Sequence, residues 1–145
     1  KLHASIGQVP VLIKKELQGF VLNRLQGALL TEAFRLVEDG YISADDLDKT
    51  IKDGLGLRWS FMGPFETIDL NAPGGVADYC ERFGEGYFEM AASAQSQPRR
   101  WSKSLVQAIH NERRTILPTD QRGERSAWRD RRLMALIAHK RNTEQ

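Results

Sequence analysis

Residues 19–40 read GFVLNRLQGALLTEAFRLVEDG, the longest run of helical periodicity in a chain of 145 residues. Leu22, Leu25, Leu29, Ala33 and Leu36 recur at steps of three and four, whereas Arg24, Thr31, Arg35 and Glu38 fall on other faces. That is the spacing of an amphipathic helix. Leu30, Phe34 and Val37 add a second apolar stripe. Apolar side chains over more than half the circumference predict a helix packed on several sides, the spine of its domain. Gly40 supplies the stop, since a residue without Cβ takes the conformation that ends helices.

Asn23 is the residue in this helix that asks for an explanation, because Asn is a mediocre helix former whose amide needs partners if buried. Gly27 lies four residues on and therefore on the same face, where it removes bulk beside the amide at about 1 kcal/mol of helix propensity. Spacing alone leaves two readings open, a packing glycine beside a solvated Asn or a cleared approach to a functional one.

Upstream, Val9, Val11 and Ile13 alternate with Pro10, Leu12 and Lys14, the pattern of a strand whose partner sheet would belong to a preceding domain. Downstream, Ser43 is placed as an N-cap, with Asp45 and Asp46 in the first turn, where the helix dipole favours carboxylates. A second helix runs to about Asp53, with Leu47 and Ile51 as its buried edge, and Gly54 and Gly56 break it. The acidic cluster is thereby explained by capping rather than catalysis.

LRWSFMGPF, residues 57–65, reads as an aromatic, methionine-rich loop with one charge, Arg58. Loops of this composition form binding walls. Pro64 opens a helix through Asp69, and Gly63 permits a tight approach to it. NAPGG makes a turn. Residues 75 to about 97 form a long helix in which Val76, Tyr79, Cys80, Phe83, Tyr87 and Met90 pack into a core, with Gly84 and Gly86 as places to kink. Further helices span about 102–114 and run from about 124, the last carrying Trp128, Leu133, Leu136 and Ile137.

The glycine pairs 54/56 and 84/86 each supply half of a GxGxxG fingerprint. Trp59 and Glu89 stand where a third glycine would be needed, and neither pair follows a clear strand. No dinucleotide cradle is therefore expected within these residues. Cys80, the single cysteine, reads as a semi-buried thiol, and His3, His110 and His139 are too scattered to suggest a metal site. With 41% hydrophobic and 28% charged residues the composition is that of a globular chain. No apolar run is long enough for a membrane span, and a soluble, cytoplasmic protein is expected. Residues 98–145 hold 12 Lys or Arg against 5 Asp or Glu, and the rest 9 against 14. The basic residues alternate with acids and no nucleic-acid motif frames them. The asymmetry points instead to contact between subunits.

Three motifs in order, GFVLNRL at 19–25, GYISADDLDKTIKDGLG at 40–56 and MGPFETIDL at 62–70, resemble the C-terminal domain of 3-hydroxyacyl-CoA dehydrogenases. The residues RWSF resemble the longer loop of the lambda-crystallin branch. The resemblance implies an all-α, multi-helical domain of the 6-phosphogluconate/3-hydroxyacyl-CoA dehydrogenase type around one long central helix, about 19–40. Residues 1–18 would then be the end of an N-terminal Rossmann domain and its connection, and 19–145 a substrate-binding and dimerisation domain. It further implies an NAD-dependent oxidation of a small hydroxy acid, L-gulonate in that branch, with NAD and the catalytic base held by the N-terminal domain.

Within this chain the resemblance implies that Asn23 contributes to the active site. A carboxylate two bonds from the reacting carbon calls for a cation nearby, and Arg58 is the one in the loop, with Trp59 beside it to exclude water. No metal, nucleic acid or membrane is implied. Two alternatives are a structural crystallin or subunit-interaction module without catalysis, and a dehydrogenase acting on a 3-hydroxyacyl-CoA.

Overall fold

The computed structural model describes residues 9–94 and 100–143, and the described chain is all-α, without a strand. The helix at the centre of the sequence forms as α1, Phe20–Glu38. Gly19 (φ 84°) and Phe20 (φ 54°) turn the chain into it. Its end carries the two bonds of a Schellman stop. Gly40, at φ 76°, donates its N–H to the Val37 carbonyl at 3.1 Å, and Tyr41 donates to that of Leu36 at 3.0 Å.

The chain divides into two compact units, Lys1–Ala33 and Phe34–Gln145, with the boundary inside α1. The expected packing of this helix on several sides is met only in its second half. Residues 20–31 are exposed, Leu22 at 75% and Leu25 at 63%, while 32–37 are half-buried. Phe34 stacks on Trp101 with ring centroids 4.2 Å apart and planes 9° off parallel. Periodicity identified the apolar stripe, and among the described residues its first half is exposed. Nor is there a strand at 9–13; the segment is irregular and exposed, as an extended stretch is when no neighbour completes its ladder.

In the second unit α2, Ala44–Lys49, starts on Ser43, whose hydroxyl accepts from the Asp46 N–H at 3.1 Å. Gly54 and Gly56 do not end the helix. The chain passes through a π-helical turn, Thr50–Leu55, into α3, Gly56–Trp59. The Gly56 N–H bonds to the Ile51 carbonyl, five residues back, which is the widened hydrogen-bond step of a π turn. A Cβ at Gly56 would lie 2.9 Å from that same oxygen, so glycine is here a condition of the widening rather than a break. Gly56→Ala is accordingly expected to destabilise the protein by about 1–3 kcal/mol, read as a lowered Tm. An unchanged Tm would show that the turn relaxes without cost.

α4, Pro64–Leu70, has its proline in the first turn, and the buried Thr67 satisfies its hydroxyl by donating to the Gly63 carbonyl at 2.8 Å. A Cβ at Gly63 would meet nothing within 4 Å, so the tight approach expected there is absent. The turn into α5, Gly75–Ala94, needs Gly75 at φ 72°, where the Asp69 carboxylate accepts from the Val76 N–H at 3.0 Å. α5 is continuous through Gly84 and Gly86. α6, Lys103–Ile116, is capped by Ser102, and α7 runs over Arg122–Thr143 after a short 3-10 turn, Thr119–Gln121.

α2 is fixed to α6 by polar contacts. The Asp45 N–H donates to a Glu112 carboxylate oxygen at 2.7 Å, and Arg113 reaches the Asp45 carboxylate at 3.1 Å and that of Asp48 at 3.4 Å. Among the described residues of this unit, Ala44, Thr67, Ala72 and Leu105 are buried. The side chains of α5 and α7 expected in the core are largely exposed instead, among them Phe83, Tyr87, Met90, Leu133 and Ile137. Cys80 is exposed, not semi-buried. Apolar area left open on this scale marks surfaces that meet something else.

Candidate functional site

Asn23 lies in the exposed first half of α1. One turn on, a Cβ at Gly27 would meet nothing within 4 Å, so the face beside the Asn23 amide is clear. Asn23 belongs to the unit Lys1–Ala33, Arg58 and Trp59 to Phe34–Gln145.

Arg58 and Trp59 are not in a loop. They form the last turn of α3, and the irregular stretch begins at Ser60, whose hydroxyl closes the helix on the Gly56 carbonyl at 2.9 Å. Consecutive helical residues diverge by about 100°, and these two have different surroundings. The charge of Arg58 acts on Tyr79 of α5. The Tyr79 phenol is pushed up from its usual value, first by its hydrogen bond with Tyr87 and then by burial, while Arg58 pulls it down. The two tyrosine hydroxyls are 2.8 Å apart.

Trp59 instead faces an open groove of about 420 Å³, shared with Phe61, Met62, Pro64, Glu66 and Lys140. The aromatic stretch thus lines this groove, together with two charged side chains, Glu66 and Lys140, that the sequence reading did not single out. Glu66 had a signal, its place in the first turn of the Pro64 helix. Lys140 had none, because α7 brings it from the far end of the chain. α7 also seats His139 edge-on to Phe61, with centroids 6.3 Å apart at 87°. A second cavity of about 480 Å³, lined by Arg113, Ile116, Leu117, Gln121, Arg125 and Trp128 among others, includes none of the predicted site residues. Arg125 lies across the Trp128 ring there, 3.7 Å from its centre.

The acidic cluster has the capping role its spacing predicts. Asp45 and Asp46 are both held below the usual carboxylate range, chiefly by hydrogen bonds to Lys49, whose own pKa is raised by the same contacts. Carboxylates held ionised in this way are unsuited to act as proton donors. Among the described residues no group of three or more His, Cys, Asp or Glu is placed to hold a metal ion. No described helix is long and apolar enough to cross a membrane.

The described residues do not fit the phosphates of a dinucleotide. Gly54 is in the π turn and Gly56 opens α3 directly from it, while Gly84 and Gly86 lie inside α5. Neither pair makes the turn between a strand and a helix N-terminus that such phosphates need.

The sequence model for "3-hydroxyacyl-CoA dehydrogenase, C-terminal domain" matches residues 19–118. The chain is similar to Lambda-crystallin of Oryctolagus cuniculus, 43% identical over 145 residues, which covers 99% of this chain and 45% of the relative. It is 42% identical over 80 residues to a 3-hydroxyacyl-CoA dehydrogenase of Gibberella moniliformis, covering 55% of this chain and 25% of the relative. It is 43% identical over 83 residues to an L-carnitine dehydrogenase of Oceanobacillus iheyensis, covering 57% and 27%. The chain thus spans less than half the length of the relatives it matches.

Proposed function

The chain belongs to the 3-hydroxyacyl-CoA dehydrogenase family, as its C-terminal domain, and from that premise we propose that it is the substrate-binding half of a dehydrogenase oxidising L-gulonate to 3-dehydro-L-gulonate. The observation that carries this reading is the groove walled by Trp59, Phe61 and Met62 and edged by Glu66 and Lys140. Ligand sites combine apolar walls with a few placed polar groups, and two of these walls, Trp59 and Phe61, come from RWSF, the residues that resemble the longer loop of the lambda-crystallin branch. A small polar acid suits an open groove of this size better than a fatty acyl thioester.

In this reading the amide of Asn23 hydrogen-bonds the oxygen on the reacting carbon, Arg58 holds the substrate carboxylate, and Trp59 shields that pair from water. The oxidant is NAD, carried with the catalytic base by a Rossmann domain that residues 1–18 adjoin. The helical domain, 19–145, is also the contact surface of a homodimer. The exposed Leu133, Met134 and Ile137 of α7 support this, and the enzyme is placed in the cytoplasm.

Steady-state assays of the full-length protein test the proposal. L-gulonate is expected to be oxidised with a higher kcat/KM than 3-hydroxybutanoyl-CoA. The reverse order would make it an acyl-CoA enzyme, and turnover of neither would leave a structural role. The 145-residue chain by itself is expected to show no dehydrogenase activity and no NAD binding in the micromolar range, since neither glycine pair of the described residues forms a phosphate cradle. Calorimetry on a sample shown to be helical by circular dichroism measures this, and micromolar affinity would contradict it.

A further inference from the structure

We propose that the hollow at the start of α7 binds a phosphate group, held by Arg122, Arg125, Ser126 and Arg129 against Leu117 and Trp128. The hollow measures about 240 Å³, shares no lining residue with the groove at Trp59, and carries three guanidiniums with no acidic side chain on its lining. Residues 122, 125, 126 and 129 are three or four apart and so share one face of the helix. This placement runs against the helix itself. The N-terminal end of a helix carries partial positive charge and favours carboxylates, as at Asp45 and Asp46 of α2, whereas here arginines fill the first two turns. Glu124, the acid of the first turn, lines the larger adjoining cavity instead. A bound anion turns the same arrangement from unfavourable to favourable.

The donors are also set up to receive one. Arg125 lies over the Trp128 ring, 3.7 Å from its centre. Stacking engages the face of a guanidinium and leaves the N–H donors around its edge free for a ligand, with less side-chain freedom left to lose on binding. Neither Arg122 nor Arg125 makes a hydrogen bond or ion pair among the described residues. Arg129 gives Nε and one terminal nitrogen to Asp130, at 2.9 and 2.7 Å, which leaves its other terminal nitrogen. The Ser126 hydroxyl adds a neutral donor. A carboxylate has two oxygens in one plane, which a single guanidinium fork meets in full, whereas the tetrahedral oxygens of a phosphate engage several guanidiniums at once. Its greater charge also offsets more of the repulsion among three cations.

Calorimetry on the full-length protein tests this, with NAD present at saturation so that a cofactor site is already filled, and with inorganic phosphate, phenyl phosphate and succinate as probes. Inorganic phosphate is expected to bind with a dissociation constant of about 1 mM or lower. Arg122→Gln combined with Arg125→Gln should weaken it roughly tenfold or more, and Trp128→Leu, which removes the stack but no charge, about threefold. Arg131→Gln takes a charge from α7 outside the hollow and should leave binding within about twofold. Circular dichroism checks that each variant keeps its helices. Phenyl phosphate bound at least as tightly as inorganic phosphate would identify the ligand as the terminal phosphate of an ester, and phenyl phosphate bound far more weakly would identify it as free phosphate. Succinate, a dianion with planar carboxylates, is expected to bind at least about fivefold more weakly than inorganic phosphate. Equal affinity for succinate would overturn the phosphate assignment. No phosphate binding below about 10 mM, or a loss with Arg131→Gln as large as that of the double variant, would overturn the site.

Discussion

Replacing Asn23 by alanine in the full-length enzyme is expected to lower kcat by roughly a hundredfold or more, the range for removing one preorganised donor from a reacting oxygen. The expectation rests on placement. The amide stands on a long, regular helix, and the face one turn on is kept open by Gly27, so the side chain is held by rigid backbone with room for a ligand beside it. As the hydroxyl loses its proton and the carbon its hydride, negative charge builds on the oxygen, and a fixed N–H donor stabilises that charge more than the ground state. Asn23→Asp, nearly isosteric but without the donor, should fall at least as far. The KM for NAD should stay near normal in both. Unchanged kcat with unchanged helicity would leave Asn23 a solvated surface residue.

The second large effect is expected at Arg58. Arg58→Met should raise KM for L-gulonate by roughly ten- to a hundredfold, the value of a charge-assisted hydrogen bond, with KM for NAD little changed. Arg58→Lys should restore only part, because an ammonium keeps the charge but loses the planar fork that meets both carboxylate oxygens. The charge of Arg58 acts on the Tyr79 phenol, whose hydroxyl lies 2.8 Å from that of Tyr87. Equal small changes in both Michaelis constants would show that Arg58 does not face the substrate. Loss of the carboxylate contact should weaken every hydroxy acid alike.

Local chemistry was the legible part of the fold. Gly40 ends α1, Ser43 and Ser102 start α2 and α6, and Pro64 starts α4. Each acts through hydrogen bonds or dihedrals set within a few residues of itself, so the sequence carries the whole cause. What covers an apolar face is a different kind of fact. The stripe of Leu22 and Leu25, the Phe83 to Met90 row and the Leu133 to Ile137 row all have helical spacing, yet all are open in this chain. Spacing says which side is apolar and nothing about the surface that meets it. The same limit hid Lys140 from the site, because its place beside Trp59 depends on the path of α7. Trp59 was legible as part of an aromatic wall, but neither it nor Arg58 was legible as helical. Gly54 and Gly56 carry the signal of a break, and only the close approach of the Ile51 carbonyl explains why the chain continues.

The π turn at Thr50–Leu55 also bears on how this chain tolerates changes of length. In an ordinary α-helix, deleting one residue forces everything beyond it out of register, and the packing faces on the two sides no longer agree. Here the extra residue per turn is already stored in the i to i−5 bond of Gly56. A single deletion between Thr50 and Leu55 would be absorbed by reversion to i to i−4 bonding, leaving a continuous helix from Ala44 to Trp59. The helix would survive and, because the residue removed is the one the wide turn holds in excess, Arg58 and Trp59 would keep the faces they now have. Gain or loss of one residue at this point is therefore a route by which related proteins can differ in length without turning the residues beyond it to another face.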